Sequence, residues 1–231
     1  MSGIKLFVVD IDGTLTENGN GIIFLPALVY LRNLQKMGFD IIYVTGRSVY
    51  EAYVLASFGG TTRLAIGENG GVIMTSPQQI LLLADDRKCL EGYNLLINYF
   101  PQIEREMVFP RFTEVVLARN FDIIEGQRIL DQNNLNLRLS DSKYAIHLNE
   151  KGVDKSTGLQ KALDVLKINK NEAVAIGDSQ TDLALFQYCK YSVALDHSPK
   201  DIKSAAKYVT KAREGHGLVE AIDYIMYNWC Y

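Results

Sequence analysis

Residues 6–14 read Leu-Phe-Val-Val-Asp-Ile-Asp-Gly-Thr, an apolar run that leads into Asp10 and Asp12 and then into Gly13. Side chains alternate between faces along a strand, so a strand over residues 4–10 can present both carboxylates on one side. In open α/β sheets, ligands bind beyond the carboxyl ends of the strands. The stretch therefore predicts a buried strand that delivers two acids to a ligand site.

Two carboxylates beside an apolar strand are costly to bury unless a cation or hydrogen bonds balance their charge. Mg²⁺ fits this requirement, because it prefers oxygen ligands and leaves coordination positions for water and phosphate. The same residues also fit a turn in which Asp10 and Asp12 cap backbone amides. On this stretch alone both interpretations stay open.

The composition narrows the class of protein. The chain has 231 residues, 48% of them hydrophobic, which is enough for one large domain or two small ones. Its net charge is −3, so the basic surface typical of nucleic-acid-binding proteins is not expected. Three cysteines in no paired spacing indicate neither a disulfide framework nor a zinc site. Because no apolar run approaches the roughly 18 residues of a membrane span, we expect a cytoplasmic protein.

Beyond the first strand, strand-like runs alternate with helical patterns, which indicates a parallel α/β sheet. The predicted strands of this sheet are 4–10, 39–44, 64–66 and 173–176, and its helices are 26–37, 48–58, 156–166, 182–188 and 218–227. Between them lie helical stretches at 86–99 and 122–133 and strands at 113–118, 135–139 and 144–148, the last two joined by a turn at 140–143. We therefore predict an α/β fold, a Rossmann-like parallel sheet with helices on both faces (residues 1–79 and 152–231) and an inserted small α+β cap domain (residues 80–151).

Polar residues lie at three further segment ends. Thr45-Gly46-Arg47 follows the second strand and supplies a hydroxyl, a flexible backbone and a cation, which can hold a phosphate oxygen. Lys155 comes just before a helix, and Asp178 and Asp182 follow a later strand. Each also has an ordinary explanation, namely a turn, a surface lysine, and acids that favour a helix N-terminus. None of these motifs indicates a function alone.

In combination and in this order, the motifs resemble the four motifs of the haloacid dehalogenase-like phosphohydrolase superfamily. The insertion between the second and third motifs resembles the cap of the Cof-type branch (class IIB). Within that branch, Gly67-Glu68-Asn69-Gly70-Gly71 at the cap entrance and Ala145-Ile146-His147-Leu148 at its exit are similar to archaeal phosphoglycolate phosphatases. The resemblance covers the chain from end to end.

The resemblance implies a role for each motif residue. Asp10 would be the nucleophile that accepts the phosphoryl group, and Asp12 would protonate the leaving group and then activate water. The implied cofactor is Mg²⁺, with Asp10, Asp178 and the backbone carbonyl of Asp12 as ligands and Asp182 completing or orienting the set. The implied phosphate- and substrate-binding residues are Thr45, Gly46, Arg47, Lys155 and Asn69. Thr181 precedes Asp182 where many relatives carry asparagine, so a hydroxyl replaces an amide.

The cap is expected to select the substrate, because the core motifs handle only phosphate and metal. Its small size favours a small anionic phosphomonoester, most of all 2-phosphoglycolate, with Arg111, Arg119 and His147 as candidate carboxylate-binding residues. A sugar-phosphate phosphatase, a phosphomutase and a catalytically silent module that binds a phosphorylated metabolite stay open as alternatives.

The expected partner is a small phosphorylated metabolite, with neither nucleic acid nor a membrane. The C-terminal aromatic residues fit a homodimer contact as well as packing against the sheet; they are Tyr224, Tyr227, Trp229 and Tyr231. For His197 the sequence indicates no partner, and a surface position is the default expectation.

Overall fold

The computed structural model describes residues 3–17, 21–142 and 144–230. Lys143, in the predicted turn, and Tyr231, in the C-terminal aromatic set, lie outside these residues. The strands are β1 (Leu6–Val9), β2 (Thr16–Glu17), β3 (Ile22–Ile23), β4 (Asp40–Val44), β5 (Ala65–Gly67), β6 (Val72–Ser76), β7 (Gln79–Leu82), β8 (Glu114–Leu117), β9 (Leu137–Asp141), β10 (Ile146–Glu150), β11 (Ala173–Gly177), β12 (Tyr191–Ala194) and β13 (Tyr208–Val209). The helices are α1 (Leu25–Lys36), α2 (Val49–Gly59), α3 (Asp86–Tyr99), α4 (Ile123–Gln132), α5 (Lys155–Leu166), α6 (Leu183–Tyr188), α7 (Lys200–Ala205) and α8 (Glu214–Asn228). Within the described ranges, no helix combines the length and the apolar character needed to cross a membrane.

Eight strands form the central sheet in the order β13-β12-β11-β1-β4-β5-β6-β7. The neighbours from β13 through β5 run parallel to one another. All residues of β1, which lies between β11 and β4, are buried, because helices cover both faces of the sheet at this point. This arrangement confirms the predicted fold class and explains the continuous apolar character of the opening stretch.

Two antiparallel strands at one edge of the sheet were not predicted from the sequence. β6 pairs with β5 and β7 pairs with β6, both antiparallel. Antiparallel strands need only a short connection, so this segment lacks the helical pattern that marks a parallel crossover. β7 continues to Leu82, so the main sheet extends past the predicted boundary at residue 79. The division of the chain into core and cap domains otherwise stays a prediction.

Helices cover the two faces of the main sheet, as predicted. Phe7 and Val9 of β1 pack with residues of α1, α2 and α8 on one face. Leu6 and Val8 pack with residues of α5, α6 and α7 on the other face. Each fully buried side chain of this kind contributes about 1.5–3 kcal/mol of transfer free energy. Packing on both faces therefore holds β1, and the residues that follow it, in the middle of the molecule.

The segment between β7 and α5 forms a smaller core of its own. Its sheet has the antiparallel order β8-β10-β9, and α3 and α4 contribute to the same apolar cluster. Asp85 and Asp122 cap these helices through side-chain hydrogen bonds to backbone amides. β9 and β10 each lie two residues later than predicted. The α+β character of the insertion is as the sequence indicates.

The described part of the C-terminal aromatic set packs mainly against the edge of the main sheet. The ring of Tyr224 stacks on that of Tyr208 with centroids 3.6 Å apart. The ring of Trp229 lies 5.0 Å from that of Tyr191 in β12. Tyr227 is 82% exposed. These contacts favour the packing interpretation for Tyr224 and Trp229, and a homodimer stays a prediction.

Candidate active site

Three adjacent parallel strands carry the predicted site residues to one edge of the sheet. Asp10 follows β1, Thr45 follows β4 and Asp178 follows β11. The backbone amide of Asp10 donates to the carbonyl of Ile176 at 3.0 Å, which ties the end of β1 to β11. Lys155 is the first residue of α5, and its ammonium points into this edge. The fold therefore brings together segments that are 145 residues apart in sequence.

Lys155 is a buried bridge between two carboxylates. Its Nζ donates to Oδ1 of Asp10 and to Oδ1 of Asp182, each at 2.7 Å, and its side chain is 2% exposed. Burial alone would lower the pKa of Lys155, but the charges of the two carboxylates and their hydrogen bonds outweigh it and raise that pKa. Lys155 therefore stays protonated, and the ordinary interpretation as a surface lysine is wrong.

A third buried acid, Asp178, lies beside the two that contact this ammonium. Carboxylate oxygens of Asp10, Asp178 and Asp182 lie within 4.8 Å of one another. Together with Lys155 we call them the strand-end cluster. Burial and the neighbouring charge of Asp182 raise the pKa of Asp10 well above its ordinary value, with Lys155 opposing them. One ammonium does not balance three carboxylates, and a set of buried oxygen donors fits a hard divalent cation such as Mg²⁺.

Asp182 uses its hydrogen-bonding capacity inside the cluster. Its Oδ2 accepts from the amides of Asp178 and Ser179 at 3.1 and 2.9 Å and from the Ser179 hydroxyl at 3.0 Å. Its Oδ1 accepts from Lys155. Three of these four bonds fall on Oδ2 and one on Oδ1, so Oδ2 is saturated by groups of the protein and Oδ1 keeps capacity for one further partner. The contacts show how Asp182 orients its neighbours, and its role in completing the metal ligands stays a prediction.

Asp178 is held by two residues that the sequence analysis did not assign to the site. Its Oδ1 accepts from the hydroxyl of Thr14 at 3.0 Å, and its Oδ2 lies 3.2 Å from Nε2 of His197. Gly13 has a φ of +79°, and a Cβ there would lie 2.6 Å from Oδ2 of Asp178. The glycine that follows the acidic pair is thus required by the close approach of Asp178. The sequence carries no local signal for His197, because its contact is formed only by the fold.

The carboxylate of Asp12 lies outside the strand-end cluster. Nε and Nη2 of Arg47 donate to its two oxygens, both at 2.7 Å, and Nη1 donates to Glu51 at 2.8 Å. The hydrogen bonds from Arg47 to Asp12 raise the pKa of Arg47 above its ordinary value. The structure therefore joins two predicted residues, Asp12 and Arg47, directly. The expected approach of the Asp12 backbone carbonyl to a metal stays a prediction.

A strained turn holds the loop Thr45-Gly46-Arg47. The amide of Asn69 donates to the carbonyl of Thr45 at 3.0 Å, and the amide of Glu68 donates to the carbonyl of Arg47 at 2.8 Å. Glu68 and Asn69 have φ values of +52° and +53°, a conformation that costs non-glycine residues about 1–3 kcal/mol. Such strain persists only where surrounding contacts over-determine the backbone. The segment is therefore held in this conformation by contacts outside the turn itself.

Those contacts come from the start of the cap sheet. The Glu68 carboxylate accepts from the amides of Phe112 and Thr113 and from the hydroxyl of Thr113, at 2.8–3.1 Å. The amide nitrogen of the Asn69 side chain donates to Oε2 of Glu114 at 3.3 Å. The cap and the loop after β4 are thus joined through two consecutive residues of the turn.

Glu114 is the centre of a second set of buried charges. Nη1 of Arg111 donates to its Oε1 at 2.8 Å, and Nδ1 of His147 lies 3.1 Å from both of its oxygens. Burial alone would raise the pKa of Glu114, but His147 and Arg111 outweigh it and hold that pKa below the ordinary value. We call Glu68, Asn69, Arg111, Glu114 and His147 the junction cluster. Sequence reasoning missed Glu114, whose position in a short apolar strand gives no sign of a functional acid.

The two other candidate carboxylate-binding residues differ in their surroundings. Both ring nitrogens of His147 already have partners in the protein. Nδ1 lies 3.1 Å from Oε1 of Glu114, and Nε2 lies 3.2 Å from the hydroxyl of Ser142. Arg119 is about half exposed and pairs with Asp141 at 2.8 Å, so it does not belong to the junction cluster.

Comparison with known proteins is consistent with this geometry. Residues 7–120 and 118–222 match the haloacid dehalogenase-like hydrolase family. A phosphoglycolate phosphatase from Nitrosopumilus maritimus is 47% identical over 219 residues, covering 95% of each chain. Another from Methanococcoides burtonii is 30% identical, covering 97% of this chain and 98% of its own. The crystal structure of Thermoplasma acidophilum 0175 has a TM-score of 0.84 at 20% identity, covering 97% and 99% of the two chains, which shows a shared fold. The resemblance stated from the sequence motifs is confirmed.

Proposed function

The chain belongs to the haloacid dehalogenase-like hydrolase family, and from this premise we propose that it hydrolyses 2-phosphoglycolate to glycolate and phosphate with Mg²⁺. It is a phosphoric monoester hydrolase. The observation that carries the proposal is the strand-end cluster, in which Asp10 lies against Lys155 and beside Asp178. This arrangement supplies a nucleophile, a cation and oxygen donors at one point.

In the proposed reaction, an oxygen of Asp10 attacks phosphorus and the bond to the glycolate oxygen breaks. That oxygen takes the proton of Asp12, and an aspartyl phosphate remains on Asp10. Water then attacks the phosphorus and gives a proton to the Asp12 carboxylate. The bond between phosphorus and Asp10 breaks, which releases phosphate and restores the starting side chains.

The remaining residues act by charge and position. Lys155 and the loop Thr45-Gly46-Arg47 hold the phosphoryl oxygens, where electrostatic stabilisation is the largest contribution in phosphoryl transfer. Mg²⁺, when bound by Asp10 and Asp178, offsets the negative charge that the carboxylates and phosphate concentrate. Asp182 orients Lys155 and the backbone at Asp178 through its four hydrogen bonds.

The contact between Arg47 and Asp12 positions the acid-base group of this scheme. Arg47 donates to both oxygens of Asp12, which fixes the orientation of that carboxyl group beside the phosphate-binding loop. A substrate phosphate that attracts the guanidinium of Arg47 would weaken this contact and release Asp12 for proton transfer.

The choice of substrate is supported by the two relatives described above, which are named phosphoglycolate phosphatases and align over nearly the whole chain. The partner is accordingly proposed to be a small phosphorylated metabolite, and the proposed location is the cytoplasm.

The test is phosphate release from a panel that includes 2-phosphoglycolate, hexose phosphates, sucrose phosphate and nucleotides, with Mg²⁺ and with excess EDTA. We expect the highest kcat/KM for 2-phosphoglycolate and no release with EDTA. A tenfold preference for a hexose phosphate, about 1.4 kcal/mol, would contradict the substrate. Isomerisation without phosphate release would indicate a mutase, and tight binding without turnover would indicate a silent module.

A further inference from the structure

We propose that Arg111 binds the carboxylate of the substrate through the Nε and Nη2 edge of its guanidinium, an assignment that rests on the proposed function. Arg111 lies at the start of the cap sheet, outside the four motifs. It is a specificity-determining residue in this proposal and takes no part in the transfer of the phosphoryl group.

The position of Arg111 places its charge beside the phosphate-binding loop. Nη1 donates to the backbone carbonyl of Gly46 at 2.6 Å, between Thr45 and Arg47. In 2-phosphoglycolate only one methylene carbon and the ester oxygen separate the phosphorus from the carboxylate carbon. A residue that binds this carboxylate must therefore lie next to the loop that binds the phosphate, which is where Arg111 lies.

The guanidinium of Arg111 has unused donors on one edge. Its contacts with Gly46 and Glu114 both use Nη1. Nε is buried and has no hydrogen-bond partner in the described part of the chain. The side chain is 11% exposed, so a desolvated cationic N–H is left unpaired, which is costly in a native structure. The Nε and Nη2 edge of arginine matches the two oxygens of a carboxylate in a bidentate pair.

The ion pair with Glu114 does not by itself explain the orientation of the Arg111 guanidinium. The carboxylate of Glu114 already contacts His147 and Asn69 and takes a single nitrogen from Arg111. Holding Nη1 between Glu114 and the Gly46 carbonyl fixes the plane of the guanidinium and leaves the opposite edge for a ligand. A pre-positioned side chain of this kind loses little conformational entropy when the ligand binds.

In Arg47 and Arg119, the nitrogens that could bind a substrate carboxylate already donate to carboxylates of the protein. All three side-chain nitrogens of Arg47 donate to Asp12 or Glu51. Nε and Nη2 of Arg119 both donate to Asp141. Among these three arginines, Arg111 is the one whose bidentate edge has no carboxylate partner in the described part of the chain.

The experiment compares 2-phosphoglycolate with 2-hydroxyethyl phosphate, in which a hydroxymethyl group replaces the carboxylate. In wild type we expect a higher kcat/KM for 2-phosphoglycolate. In Arg111→Gln the ratio of the two kcat/KM values is expected to fall about 10- to 100-fold, mainly through KM, because a charge-assisted pair in the bound ground state is lost. Arg111→Lys, which keeps the charge without the fork, is expected to give an intermediate ratio.

Two further variants separate recognition from folding. Arg111→Gln with Glu114→Gln removes both charges, so no carboxylate is left unpaired, and the ratio is expected to fall as in the single variant. Arg128→Gln is the matched control, because Arg128 lies exposed on α4 in an ion pair with Glu125. Its ratio is expected to equal that of wild type. Thermal unfolding of each variant establishes that the protein is folded.

The outcomes separate this inference from the proposed function. If wild type prefers 2-phosphoglycolate and the ratio survives in both Arg111→Gln variants, Arg111 is not the carboxylate-binding residue and the proposed function stands. If Arg119→Gln abolishes the preference and Arg111→Gln does not, the assignment passes to Arg119. If wild type shows no preference between the two esters, the proposed substrate fails and the inference with it.

Discussion

The strand-end cluster and the junction cluster are built from the same kinds of residue and differ in charge balance. The strand-end cluster gathers three carboxylates around one lysine, and the pKa of Asp10 is raised well above its ordinary value. In the junction cluster Glu114 lies between Arg111 and His147, and its pKa is lowered. Burial is similar in both, so the neighbouring charges decide the direction of the shift.

The difference in charge indicates different roles. The strand-end cluster is the candidate catalytic site, and the junction cluster is the contact that positions the loop beside it. An excess of buried negative charge is unfavourable until a cation joins it, whereas paired charges are stable in the protein alone. The strained turn at Glu68 and Asn69 connects the two clusters, because its amides hold the loop after β4 and its side chains hold the cap. The following predictions test whether the two clusters behave as differently as their charges indicate.

The largest effect is expected on removing the nucleophile. Asp10→Asn should lower kcat/KM by about 10⁴-fold or more, because no aspartyl phosphate can form. The variant should unfold at the same temperature as wild type or higher, since one of three crowded carboxylates is neutralised. Phosphate release and thermal unfolding measure the two effects. Asp164→Asn, an exposed change on α5, is the control, and activity of Asp10→Asn at the parental rate would remove Asp10 from its role.

Lys155→Met should destabilise the protein by about 3–5 kcal/mol at neutral pH, because Asp10 and Asp182 lose a buried partner. The pKa of Asp10 is already raised, and loss of the ammonium raises it further. The destabilisation of the variant is therefore largest above the pKa that Asp10 has in the folded variant, and it decreases as the pH falls through that pKa. Urea unfolding at several pH values measures this, with exposed Lys161→Met as control. An equal loss at every pH would show that Asp10 does not titrate in this way.

Glu114→Gln tests the balanced cluster and should cost about 1–3 kcal/mol at pH 7. The charged or titratable groups near Glu114 are His147, Arg111 and Glu68. Burial alone would raise the pKa of Glu114, but His147 and Arg111 outweigh it and lower that pKa from the ordinary 4.5, whereas Glu68 is a like charge. The stabilisation is therefore present above pH 4.5 and is lost as the pH falls through the lower folded pKa. Unfolding of wild type and variant across this range measures the difference. Glu91→Gln on α3 is the matched control, and a difference that grew on acidification would contradict the sign.

The smallest effect is the response to metal. At Mg²⁺ tenfold above its Kd, wild type should gain about 1.4 kcal/mol of stability. Asp178→Asn should lose this gain, and Glu114→Gln should keep it, because the carboxylate oxygens that could hold one ion together belong to Asp10, Asp178 and Asp182. Thermal unfolding with MgCl2, against NaCl of equal ionic strength, gives the measurement. A Mg²⁺ response that depended on Glu114 instead would reverse the comparison.

The fold class and much of the site could be predicted because their signals are local. An apolar run followed at once by Asp10 and Asp12 marks a strand end, and the same is true of Thr45 after β4 and Asp178 after β11. The motif order then carried the resemblance to a family. The antiparallel edge strands β6 and β7 were missed, because a short hairpin leaves no crossover helix in the sequence.

The partners of these residues could not be predicted in the same way. Glu114 begins a strand whose residues are all buried, and its contacts with Asn69 and His147 come from segments far away in sequence. His197 contacts Asp178 across the fold. Arg111 appeared only as one of three candidate carboxylate-binding residues. The contacts of His197 with Asp178 and of Arg111 with Gly46 join parts of the chain that are far apart in sequence.

The amino-acid sequence by itself determined where polar groups leave the buried strands, since hydrophobic pattern and strand ends are properties of neighbouring residues. Only the tertiary structure decided how their charges are paired. Coulombic interaction depends on distance in space and on burial, and Lys155 reaches Asp10 across 145 positions of chain. Which carboxylates keep an excess of charge and which are neutralised is therefore a property of the folded chain.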